Sequence, residues 1–110
     1  MGTFRYGQAG AVLELDDQTL DQLRVVIVMK LRRSEGFLLS WDDPDGAPTS
    51  VWLNSSIPMT FEFGAPIASP PDRAILEKMM EASFHAAGLL IRRDALARLE
   101  FDRDFVQAAR

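Results

Sequence analysis

From Thr3 to Leu15 apolar and polar residues alternate: Phe4 and Tyr6 against Thr3, Arg5 and Gly7, then, past Gln8-Ala9-Gly10, Ala11, Leu13 and Leu15 against Val12 and Glu14. A period of two turns one side of each segment toward a core, and the glycines between them suit a tight turn, so the pattern predicts a β-hairpin. The period then changes. Leu20, Leu23, Ile27 and Leu31 recur at helical spacing behind Asp16-Asp17, either of which can cap, while Lys30, Arg32 and Arg33 gather where a helix dipole favours cations. A helix is expected near residues 17–34, with Gly36 as its stop, although the β-branched run Val25-Val26-Ile27-Val28 would also suit a buried strand.

Alternation resumes in Phe37, Leu39 and Trp41 against Leu38, Ser40 and Asp42; Asp43-Pro44-Asp45-Gly46 is a turn, and Val51-Trp52-Leu53 the return strand. Ile57, Met59, Phe61 and Phe63 form a further strand, with Phe61 and Phe63 on the core side, and Pro58 places it at a start or an edge. Ser69 as cap, Pro70 in the first turn and Asp72 completing a capping box open a second helix near 70–87, whose apolar face is Ile75, Leu76, Met79, Met80 and Ala87, up to Gly88. Leu89-Leu90-Ile91 reads as a short strand, and the tail from Asp94 as a further helix on its alanine content. The expected fold is α+β: a mainly antiparallel sheet of five to six strands with two principal helices, a domain over 1–92 and a C-terminal extension over 93–110.

Composition narrows the chemistry. The 110 residues hold no cysteine and one histidine, which removes disulfide scaffolds, thiolate nucleophiles, cysteine zinc sites and histidine clusters. The net charge of −4 repels nucleic acid and anionic membranes overall, so a nucleic-acid contact needs a local basic patch. No run is apolar enough for a membrane span and no secretory h-region opens the chain, so the expected compartment is the cytoplasm.

His85 is the first candidate for acid–base work, but the expected second helix puts it on a polar flank with Glu81 one turn before it, and Ser83 completes no triad. No catalytic residue, metal site or cofactor is therefore assigned. Arg24, Lys30, Arg32 and Arg33 form a candidate phosphate-binding surface, with helix-end solvation as the plainer reading. Trp41 and Trp52 lie on facing strands, where buried indoles would be core and exposed ones an interface. On the first helix Val25 and Met29 fall opposite Leu20, Leu23 and Ile27, so a second apolar side needs cover from the tail, through Phe101 and Phe105, or from a protein partner or a second copy. Val25, Met29, Trp41 and Trp52 are accordingly the candidate interaction residues of a non-catalytic module.

The run from Leu23 to Phe37, Ser40-Trp41, the run from Val51 to Pro58, and Phe61 with Phe63 resemble a family of small actinobacterial proteins whose members are often labelled ATP-dependent DNA ligase. The resemblance covers Thr3 to about Leu90 and implies a nucleic-acid-associated accessory role. It does not imply ligation: adenylate formation in such ligases uses a lysine in K-x-D-G, and neither Lys30, in Lys-Leu-Arg-Arg, nor Lys78, in Lys-Met-Met-Glu, stands in that motif.

Overall fold

The computed structural model describes residues 1–8, 10–93 and 99–101. Strands β1 (Gly2–Tyr6) and β2 (Ala11–Leu15) form the expected hairpin, Phe4 opposite Leu13, with Gly7 at φ 82° in the turn. Helix α1 (Asp17–Arg32) starts at Asp16, whose carboxylate accepts from the Thr19 N–H. Its end departs from expectation. The left-handed residue is Ser34, φ 57°, and the Ser34 and Glu35 N–H groups donate to the Leu31 and Lys30 carbonyls, so the helix is closed before Gly36 is reached.

Strands β3 (Phe37–Asp42) and β4 (Pro48–Leu53) are the second hairpin, and β5 (Met59–Glu62) returns to pair with β1. Helix α2 (Arg73–Ser83) is shorter than the pattern suggests: its cap is Asp72, which accepts from the Ala74 and Ile75 N–H groups. The proline ring of Pro71 disfavours helical geometry at Pro70, so the helix begins beyond both prolines, and the Ser69 hydroxyl donates to Gln18 instead. Strand β6 (Leu89–Arg93) runs parallel to β3, and β7 (Leu99–Phe101) pairs antiparallel with β6. A strand thus stands at 99–101 where a tail helix was expected, because the edge of β6 offers backbone partners that alanine propensity cannot match. The rest of that expected helix, with Phe105, lies outside the described residues.

The expectation of one sheet is replaced by two, of order β2-β1-β5 and β4-β3-β6-β7. All neighbours are antiparallel except β3 and β6, which the chain joins by leaving for β5 and returning through α2. The core is shared: Phe4 and Leu15 from the first sheet, Leu20, Leu23 and Ile27 from α1, Met79 from α2, and Leu39, Trp41 and Leu89 from the second sheet. Phe61 and Phe63 are half-buried at its border, the Phe61 ring 5.1 Å from that of fully buried Phe4. Tyr6 ties the sheets together. Its hydroxyl donates to the Trp52 carbonyl oxygen (2.9 Å) and accepts from the Asn54 N–H (3.1 Å), joining β1 to the end of β4.

Candidate functional site

The two tryptophans separate. In the β3–β4 register Trp41 faces Thr49 and Trp52 faces Leu38, so the indoles lie on opposite sides of the sheet and do not pair. Trp41 is 1% exposed, and its Nε1–H donates to Asp43, which also accepts from the Thr49 hydroxyl; the acidic turn thus serves a core indole. Trp52 is 60% exposed and rests on Gly36: a Cβ there would stand 3.1 Å from the indole Nε1 and 2.8 Å from the Leu53 carbonyl oxygen. Close approach, not helix termination, is what Gly36 provides.

Phe84, the C-cap of α2, is 61% exposed and lies across a groove of about 510 Å³ whose walls include Phe37, Leu38, Trp52, Phe84 and His85. Lys30 closes one side of it. Only 3% exposed, its ammonium sits 3.7 Å from the centre of the Phe84 ring, 5.8 Å from that of Phe37 and 3.4 Å from the Glu35 carboxylate. An ammonium over an aromatic face is held by the ring quadrupole, and the carboxylate completes its neutralisation. Glu35 also forms an ion pair with Arg33, its carboxylate 2.9 Å from Nε. A second, mainly apolar hollow of about 520 Å³ adjoins at Leu38 and runs over the outer side of β3, β4 and β6.

The candidate phosphate surface does not assemble as one patch. Lys30 is inside, Arg24 holds buried Asp21 at 2.6 Å, Arg33 engages Glu35, and Arg32 is exposed. His85 is not on a helix flank: α2 ends at Ser83, and His85 lies in the following turn, against the groove. Helix α2 approaches α1 at Val26 and Met29, with Leu76 and Met80 packed on the core border. Val25 is half-buried, and Met29, 48% exposed, lines a hollow of about 230 Å³ between the helices. Exposed Phe84 and the pairing of buried Lys30 with half-buried Glu35 escape sequence reasoning. Phe84 keeps helical step with Leu76 and Met80, so period alone assigns it to the core.

Among the described residues no helix is long and apolar enough to cross a membrane, and no group of three or more acidic or histidine side chains is placed to hold a metal ion. A family model described as a domain of unknown function matches residues 1–94. No curated protein and no solved structure matches the chain.

Proposed function

We propose that this chain, which belongs to the domain of unknown function family DUF7882, is a non-catalytic interaction module that binds a protein partner or a second copy of itself. The observation that carries the reading is the pair of exposed aromatic residues, Trp52 and Phe84, lining one groove. Large aromatic side chains left in water across a concavity are the composition of interface hot spots, whereas a side chain serving only the fold is normally buried. The support moves from Val25, which is half-buried, and Met29, which borders a hollow shared with α2, to this groove.

Sedimentation velocity over a range of concentrations, with affinity capture on immobilised protein, tests it. Wild type should self-associate or retain a defined partner, and Trp52→Ala/Phe84→Ala should lose that association. A monomeric wild type that retains the same proteins as the double variant would falsify the module.

The second reading is an accessory protein bound to nucleic acid, as the ligase resemblance implies. Exposed Arg32 and Arg33, the latter paired with Glu35 of the groove wall that also holds the exposed Trp52, favour it, since single strands are held by cations and stacking rings. The net charge of −4 and the commitment of Lys30 to Glu35 and Phe84 count against it. Steeply salt-dependent binding of single-stranded DNA, lost in Arg32→Ala/Arg33→Ala, would make it the better account.

A further inference from the structure

Resting on the interaction-module reading, we infer that the groove between Trp52 and Phe84 takes an acidic peptide segment carrying an apolar anchor. The anchor follows from the walls. Phe37, Leu38, Trp52 and Phe84 present ring and methyl surface around a hollow of about 510 Å³, large enough for a leucine or phenylalanine side chain to enter. Trp52 lies against Gly36, where no side chain intervenes, so the backbone supports part of the indole while 60% of the residue stays open to a ligand.

The acidic flank follows from the charges. The chain as a whole is negative, yet residues 30–35 carry Lys30, Arg32 and Arg33 against the single carboxylate of Glu35. Lys30 and Glu35 neutralise each other inside the groove. Arg33, with a side chain 63% exposed, uses Nε toward Glu35, which leaves the two terminal nitrogens of its guanidinium for a partner's carboxylate. Arg32 beside it is exposed as well. A basic peptide would meet these cations, and a nucleic acid, with a phosphate at every nucleotide, would find two exposed arginines, one of them already paired with Glu35, on a negatively charged molecule.

Trp52 supplies its own readout, because the other tryptophan, Trp41, is buried. The test titrates the whole chain with an octapeptide in which Leu-Phe is flanked by Asp and Glu, with the same peptide flanked by Lys, with one flanked by Ser, and with oligo-dT, following tryptophan emission. The acidic peptide should shift the emission and bind roughly tenfold more tightly than the basic one, the gap narrowing as salt rises. Trp52→Ala should abolish binding of the acidic peptide measured by calorimetry, and Arg33→Ala should remove the preference for acid over serine while leaving the fold intact.

Equal or tighter binding of the basic or the serine peptide overturns the acidic assignment while leaving a Trp52-dependent interaction site, so the two readings fail separately. Oligo-dT bound more tightly than the acidic peptide at physiological salt overturns it in favour of nucleic acid. Self-association that depends on Trp52 and excludes the peptide overturns it in favour of a second copy, and no response to any peptide overturns it outright.

Discussion

Truncating Trp41 and truncating Trp52 perturb the molecule differently, because one indole fills the core and the other lies over a glycine in water. Trp41→Ala should cost about 3–5 kcal/mol through lost transfer energy and a cavity, while Trp52→Ala should cost about 1 kcal/mol or less. Urea melts of both variants check this, and comparable losses would mean that Trp52 is held by the fold. A similar asymmetry applies at Lys30. Replacing a buried ion by an apolar side chain of like volume is often neutral, whereas removing only its counter-ion leaves a charge without compensation. Lys30→Met is therefore expected to change stability by less than about 1 kcal/mol and Glu35→Ala to destabilise by roughly 1–3 kcal/mol. If denaturation placed the two in the opposite order, the ammonium would owe little to Glu35 and more to the Phe84 ring.

At the scale of elements, the entry to α2 separates two residues that sequence reasoning combines. Ser69 and Asp72 both suit a cap, but only Asp72 accepts from helix N–H groups; Ser69 reaches across to Gln18 on α1. Asp72→Ala should lower stability by about 1 kcal/mol, and Ser69→Ala by markedly less. Equal effects in thermal melts would show that the loop contact to Gln18 matters as much as the cap. The start of α1 was legible because Asp16 precedes the helical period directly. Its end was not, since left-handed backbone at Ser34 is imposed by the hydrogen bonds to the Lys30 and Leu31 carbonyls rather than invited by residue type.

For the whole molecule, the Tyr6 phenol adds a polar joint to the core that the two sheets share. Tyr6→Phe keeps the ring and removes both the donation to Trp52 and the acceptance from Asn54, so it should cost about 1–2 kcal/mol. Because the site lies where β4 ends beside the groove, amide exchange at residues 52–54 should accelerate more than at the centre of β3. Uniform acceleration across both sheets would show that Tyr6 contributes to general stability and not to this joint.

Local pattern determined much of this protein: both hairpins, the existence of both helices, the edge position of the Pro58 strand and the α+β class follow from periods of two and 3.6, from capping aspartates and from turn residues, all of which act within a few residues of chain. Tertiary structure decided the rest. Two sheets in place of one, the parallel pairing of β3 with β6, and the strand at 99–101 depend on which distant backbone edges meet, and period two is identical for either partner. The groove belongs to the same class: Trp52 and Phe84 stand 32 positions apart, the sequence leaves Trp52 open between core and interface and the helical period assigns Phe84 to the core, and their exposure arises from the face of the sheet and the end of the helix on which they fall. Burial is a property of what packs against a residue, and no residue carries that information alone.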